Sequence, residues 1–322
     1  MHKQLPTWQL IHNSLQHNIA VMLLYVLESR GSSPGRQGFV MAVNAKGEMS
    51  GSLGGGIMEH KFVEMAKAKL QQPAVEASVH QQIHDKSVAK NQSGMICSGE
   101  QTIFLYRVKK EETAAIQHII AALQQNKNAA LQLSPHGIVF IDRIPENNYT
   151  LELKATNDFL FTEKIGYKHR LYIIGGGHCA LAFSELMGTM DFHIQLFDHR
   201  ENLNTLEQNQ SAQEKKLLHD YAQLESLVQA GENSFVVVMT FGYRTDAEAL
   251  KALQGKNFKY LGVLGSRNKI ARMFEQLTAE GVDANWLHKI HAPIGISIKS
   301  QTPEEIAVSI AAEIIQVKNA QL

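Results

Sequence analysis

Apolar residues run along this chain with two different periods. Residues 19–27, IAVMLLYVL, are nine consecutive apolar positions with β-branched members, which suits a buried strand and falls short of the roughly 18–20 that a membrane-spanning helix needs. A Trp-containing helix is expected before it, over residues 7–17. After it come a turn, RGSSPGRQG, a strand, FVMAV, and a second turn, NAKGE. Next stands GSLGGG, residues 51–56, running into a helix whose Met58, Phe62, Met65, Ala66 and Leu70 recur at spacings of three and four. A polar stretch, residues 71–93, separates this helix from SGMICSGEQTIFLYRV, whose second half reads as a strand ending near Arg107.

Residues 108–165 mix a helix, 113–125, with short strands and the turn IPENNY. From HRLYIIGGG onward the pattern becomes strand, helix, strand with short connections, as in a doubly wound parallel sheet. Its strands are LYIIG, FHIQLFD, SFVVVMT and KYLGVLG. The last helix starts at TPEE, where Thr302 suits the N-cap, Pro303 the first helical position and Glu305 the far side of a capping box. The fold class is therefore α/β: a mixed α/β domain over 1–166 and a Rossmann-like doubly wound parallel sheet over 167–322. Residues 107–166 read either as part of the first domain or as a connecting region.

Composition narrows the function classes. A length of 322 residues exceeds the usual single domain of roughly 100–200. Thirty-one basic residues balance thirty-one acidic ones with no Lys/Arg block, so nucleic acid is not an expected partner, and neither is a membrane. The opening MHKQLPTWQL has no apolar signal-peptide core, and two cysteines, Cys97 and Cys179, are too few for a disulfide framework; a cytoplasmic location is expected. HQQIH (His80, His84) and HKIH (His288, His291) have helical spacing, but without an evident third ligand they read as solvated helix faces.

Two glycine loops of different design carry the candidate chemistry. GGGHCA follows a strand and precedes a helix, which puts Gly175, Gly177 and Ala180 in a G-x-G-x-x-A arrangement. The first glycine permits the tight turn, the second lets backbone approach a diphosphate, and the small third residue lets helix and strand pack. Asp198 ends the next strand, twenty-one residues after Gly177, where a carboxylate would accept hydrogen bonds from ribose hydroxyls. LGSR places Gly265, Ser266 and Arg267 at the carboxyl end of a later strand; Arg267 reads equally as a phosphate ligand or a surface residue. The earlier loop is neither a Rossmann fingerprint nor a P-loop. Its Gly51, Ser52, Gly54, Gly55 and Gly56 can form an anion-binding nest at a helix start, with Glu59 in the first turn as a cap or a ligand contact, and a tight structural turn is the plainer alternative. Cys97, beside Ser98 and Gly99, reads as an exposed thiol or a buried one; Cys179 reads as packing.

Taken in order, GSSPGRQGFVM, GSLGGGIMEHKFVEMA, GMICSGE, LYIIGGGHCA, FDHR, LGVLGSRNKI and HAPIGISIKSQTPEEIAVSIAAEII resemble the xanthine dehydrogenase accessory protein family (XdhC/CoxI) over nearly the whole chain. The resemblance implies a chaperone for the molybdenum cofactor rather than an enzyme. Such a protein binds mature molybdopterin cofactor, holds it while a cysteine desulfurase supplies the sulfido ligand, and hands it to a molybdenum hydroxylase such as xanthine dehydrogenase. In that scheme the loop at 51–56 cradles the anionic cofactor and Cys97, at the family's Cys-Gly-Gly position, offers a thiolate near the metal. The Rossmann domain admits a dinucleotide of the nicotinamide or the cytidine type, and a homodimer is expected. The chain departs from the family in reading CSG for Cys-Gly-Gly, in carrying Gly35 beside Arg36 where an arginine often stands first, and in placing Phe241 where a histidine is frequent while keeping Asp246. Competing readings are an NAD(P)-dependent oxidoreductase, for which no general-acid constellation stands out, and a ligand-free scaffold.

Overall fold

The computed structural model describes residues 3–73, 77–83, 99–155 and 158–320. The chain divides into two units, Met1–Gly166 and Tyr167–Leu322.

In the first unit, α1 (Leu5–Gln16) leads into β1 (Val21–Gly31), β2 (Val40–Asn44), β3 (Met49–Gly51), α2 (Gly56–Leu70), β4 (Ser78–Ile83) and β5 (Gly99–Arg107). The strands form one sheet in the order β3-β2-β1-β5-β4, and every neighbouring pair is antiparallel. β1 lies at the centre, and its continuous apolar run follows from burial on both faces. Val21, Leu23, Tyr25 and Leu27 join the core under α1, whereas Met22, Leu24 and Val26 join the core under α2, as the period of two along a strand requires.

The segment after β5 belongs to the same unit. It contains α3 (Thr113–Gln124) and a second antiparallel sheet of β6 (Ala129–Ser134), β7 (Gly137–Ile141), β8 (Tyr149–Ala155) and β9 (Asp158–Ile165), in the order β7-β6-β9-β8. Leu131, Leu133, Phe159 and Phe161 share one core with Trp8, Tyr25 and Ile116, so residues 107–166 are no linker. A buried polar contact pins the two sheets. The Tyr25 hydroxyl donates to Glu163, which also accepts from Gln4 Nε2 at 3.2 Å, and burial first, then the Glu163 charge, pushes the Tyr25 hydroxyl far above its ordinary pKa. Glu163→Ala is expected to cost about 1–3 kcal/mol by leaving that hydroxyl short of its acceptor; a chemical-denaturation midpoint unchanged from wild type would refute this.

The second unit runs β10 (His169–Ile174), α4 (His178–Met187), β11 (Phe192–Asp198), α5 (Asn204–Gln208), β12 (Glu214–Leu217), α6 (Leu224–Leu227), β13 (Gly231–Val238), α7 (Tyr243–Leu253), β14 (Phe258–Val263), α8 (Arg267–Ala279), α9 (Ala284–Leu287) and α10 (Pro303–Asn319). Its strands are all parallel in the order β12-β11-β10-β13-β14, the Rossmann arrangement. α4 and α10 cover one face through Phe183, Met187, Ile310 and Ile314; α7 and α8 cover the other through Leu250, Leu253, Met273 and Leu277. α10 starts with the capping box of Thr302 and Glu305 and with Pro303 in its first turn.

Three strands fall where none was expected. β3 runs into the glycine loop, β4 lies inside the polar stretch and β12 reads EKKL; all three are edge strands, which present one side to solvent. The histidine pairs are also not helix faces. His80 sits in β4, and His84 lies outside the described residues. His288 caps α9, while the His291 ring stacks on Tyr260 at 4.5 Å and its Nδ1 lies 3.1 Å from Glu313. No helix among the described residues is long and apolar enough to cross a membrane.

Candidate functional site

In the first unit, three glycine-bearing segments meet at one end of the β1 sheet. A Cβ at Gly35 would stand 1.9 Å from the Leu53 carbonyl oxygen, and one at Gly54, where φ is +116°, would stand 2.3 Å from the Gly35 nitrogen. A Cβ at Gly99 would lie 2.7 Å from the Ser32–Ser33 backbone, and the buried Gln101 donates through Nε2 to the Gly35 carbonyl at 2.7 Å. Backbone thus packs directly on backbone, which only glycine permits. Gly51 is explained the same way, since its Cβ would lie 2.1 Å from the Val40 oxygen.

The remaining loop glycines answer to another need. Gly55 and Gly56 have φ of +78° and +72°, and nothing lies within 4 Å of a Cβ at Gly55. At Gly55 the loop is therefore bare toward open space, just before the first amides of α2, which have no intrahelical acceptor. Part of the expected nest already holds an anion. Glu59 Oε2 accepts from Ser52 Oγ at 2.6 Å, Leu53 N at 2.7 Å and Gly55 N at 3.0 Å, while Gly54 N donates to Ser52 Oγ at 3.0 Å. Partial burial would raise the Glu59 carboxyl, but these hydrogen bonds prevail and hold it below the ordinary carboxylate range.

A carboxyl lowered in the folded state stabilises fully above its unfolded pKa, and that contribution is lost as pH falls through the folded value. Wild type is accordingly expected to melt above Glu59→Gln at neutral pH, with the gap closing on acidification. A gap that does not change with pH would mean that the Glu59 charge does not hold the loop. Cys97 and Ser98 lie outside the described residues; Gly99, two positions after Cys97 in the sequence, is packed as above. Among the described residues no group of three or more His, Cys, Asp or Glu is placed to hold a metal ion. Cys179 is half-buried in the first turn of α4, and its thiol is pushed up by burial first and then by the Glu304 charge.

In the second unit the fingerprint loop joins β10 to α4. A Cβ at Gly175, with φ of +113°, would lie 2.2 Å from the Met239 carbonyl oxygen, so this glycine lets the loop cross the end of β13. Ala180 is buried between α4 and the sheet, and the side of Gly177, the N-cap of α4, is open. Asp198 departs from its expected role. Its side chain is 1% exposed, and its oxygens accept from Gly176 N at 2.6 Å, Arg200 N and Nε at 2.9 Å each, and Arg200 Nη2 at 2.7 Å. Burial alone would raise this carboxyl; the bonds from Arg200 and Gly176 lower it. With four donors taken, Asp198 presents nothing to a ribose.

What faces outward instead was not foreseen. The Arg200 guanidinium lies 5.2 Å from the Phe241 ring, the His199 ring stacks on the same phenyl at 5.5 Å, and His199 Nδ1 pairs with the Tyr221 hydroxyl at 2.9 Å. Phe241 is 65% exposed. The signal available in the sequence was FDHR, a basic pair directly after the strand-ending acid. Ser266 serves as N-cap of α8, accepting from Lys269 N at 3.3 Å, and Gly265 leaves room for the Lys269 stem, since a Cβ there would lie 2.9 Å from Lys269 Cδ. Arg267 is exposed and lines a cleft with Ile270, Phe274, Leu287, His288 and Pro293; no residue of the fingerprint loop lines that cleft, so the surface reading of Arg267 fits.

Comparison with known proteins agrees with both halves. The sequence model of the XdhC Rossmann domain matches residues 171–314, and that of the XdhC and CoxI family matches residues 14–79. The chain is 26% identical over 310 residues to YqeB of Escherichia coli strain K12, covering 94% of this chain but 44% of YqeB, so it spans less than half of that relative. It is 23% identical over 324 residues to a probable xanthine dehydrogenase subunit of Bacillus subtilis strain 168, covering 94% of this chain and 95% of that one. A crystal structure of a Bacillus halodurans protein called a xanthine dehydrogenase shares the fold, with a TM-score of 0.70 at 23% identity over 98% of this chain and 97% of that one. The chain is a member of the XdhC and CoxI family.

Proposed function

We propose that this protein is an accessory factor for a molybdenum hydroxylase of the xanthine dehydrogenase type. It binds the molybdenum cofactor as cargo, shields it while a cysteine desulfurase supplies the terminal sulfur, and passes it to the hydroxylase. Family membership and the name borne by the Bacillus subtilis relative support this reading. The observation that carries it is the convergence of the Gly35, Gly54 and Gly99 segments, because all three motifs that resemble the family in the amino-terminal half meet at one place.

The chemistry suits a carrier. The first amides of α2, at Gly56 and Ile57, have no intrahelical acceptor, and with the positive end of the helix they favour an anion such as a pterin phosphate. Hydrogen bonds of this kind release their ligand more readily than a full set of metal ligands, as handover demands. Cys97 is the residue proposed to approach the molybdenum. Titration of the purified protein with molybdenum cofactor under anaerobic conditions, then transfer to cofactor-free hydroxylase, is expected to give saturable binding and recovered activity. Folded Gly55→Ala and Cys97→Ser variants are expected to bind more weakly. Wild-type affinity in both would remove the loop and the thiol from the site, and absence of binding by the wild type would end the carrier reading.

A further inference from the structure

We propose that the mouth of the carboxyl-terminal sheet binds an adenosine diphosphate nucleotide whose ribose bears an additional 2′-phosphate, as in NADP(H), with Arg200 reading that phosphate and Phe241 supporting the base. The inference stands apart from the carrier reading and concerns only the second unit.

Topology locates the site. β11 and β13 flank β10 on opposite sides, so the chain order reverses between β10 and β13, the switch point at which open parallel sheets bind ligands outside their carboxyl ends. The loops leaving β11 and β13 supply Arg200 and Phe241, which meet at 5.2 Å, and the loop leaving β10 supplies the glycine fingerprint. The fingerprint fits a diphosphate. A Cβ at Gly177 would meet nothing within 4 Å, so a ligand can reach the backbone at the start of the ten-residue α4.

Charge then decides between the two kinds of ribose. A free ribose diol is bound by an outward carboxylate, whereas a 2′-phosphate is accommodated by an arginine nearby. Here Asp198 is buried and fully engaged, and it orients Arg200 through Nε and Nη2. Nη1 of Arg200 makes no hydrogen bond among the described residues, so the mouth offers a donor where a diol-binding site would offer an acceptor. A guanidinium matches a phosphate dianion, and fixing it by a buried carboxylate removes the cost of ordering it on binding. The exposed phenyl of Phe241 gives an adenine ring a flat apolar face.

Calorimetric titration of the full chain with NADP+, NAD+, 2′,5′-ADP and coenzyme A tests this. NADP+ is expected to bind about tenfold or more tighter than NAD+, the worth of one charge-assisted hydrogen bond. The preference is expected to persist in 2′,5′-ADP and to exceed that for coenzyme A, whose extra phosphate is on the 3′ position. Arg200→Gln, shown to be folded by circular dichroism, is expected to abolish the ratio, whereas Phe241→Ala, at an exposed position that leaves the core intact, is expected to weaken NADP+ and NAD+ by the same factor. Equal or tighter binding of NAD+ or coenzyme A, or no saturable binding of any of the four, overturns the proposal. So does an unchanged NADP+ to NAD+ ratio in folded Arg200→Gln.

Discussion

Replacing Gly54 with alanine is expected to destabilise the amino-terminal unit by about 3 kcal/mol or more, while the same change one residue later costs about 1–2 kcal/mol. At Gly54 two penalties coincide. The backbone sits at φ +116°, which an L side chain rarely adopts, and the new Cβ would stand 2.3 Å from the Gly35 nitrogen and 2.4 Å from the Pro34 carbonyl carbon. Neither neighbour is the flexible end of a side chain, so relief requires two loops to separate. Gly35 cannot yield, because its own α-carbon faces the Leu53 carbonyl and its oxygen is held by Gln101. At Gly55 only the backbone penalty remains. Scanning calorimetry should show the first transition falling by about 6–12 °C in Gly54→Ala, given about 2–4 °C per kcal/mol for a unit of this size. Equal shifts in the two variants would mean that the loops do not touch as described.

Removing the Asp246 carboxylate should act as strongly on the other unit. Asp246 is fully buried at the start of α7, accepts from Thr240 N at 3.0 Å and Thr240 Oγ1 at 2.6 Å, and is paired with Lys269 of α8, which also donates to the Leu264 carbonyl at 3.3 Å. Asp246→Ala strands the Lys269 ammonium in a pocket where it is 27% exposed and deprives the turn after β13 of its anchor. A loss of about 3–5 kcal/mol is expected, the usual result of breaking rather than replacing a buried pair. Combining it with Lys269→Met should cost clearly less than the sum of the two single changes, because the stranded charge is then gone. Strict additivity, measured by urea unfolding of the four proteins, would show that the pair is not coupled. Since Thr240 directly precedes Phe241, the single variant should also loosen the platform beside Arg200.

The sequence was most readable where one physical demand acted alone. An unbroken apolar run suited a buried strand and is the central strand β1, and Thr-Pro-Glu-Glu suited a helix start, as α10 confirms. Four of the five parallel strands and the fingerprint between β10 and α4 followed from strand and helix periods. Legibility failed where a residue serves a partner distant in the sequence. The crowding of glycines in residues 51–56 pointed toward ligand binding, yet Gly51 and Gly54 are there so that other backbone can touch them. Asp198 was read as facing a ribose, and Glu59 as either a helix cap or a ligand contact. Each turns back onto nearby amides, and no periodicity shows which way a carboxylate will turn. β4 and β12 escaped because edge strands look like polar connections.

The glycine contacts of the first unit also set the order in which it can be made. β1, β2 and β3 follow one another as a meander, so the approach of Gly51 to Val40 can form as soon as that stretch has left the ribosome. The lock on Gly35 comes from Gln101, 66 residues later, on a strand that adds to the opposite edge of β1. Until β5 has been synthesised and paired, the loop pair lacks its third wall and its tether, and closing so long an intervening chain is slow compared with forming a hairpin. A nascent chain halted before residue 99 would therefore display the glycine loops without the arrangement described above. Any role that depends on that arrangement begins only once β5 is in place.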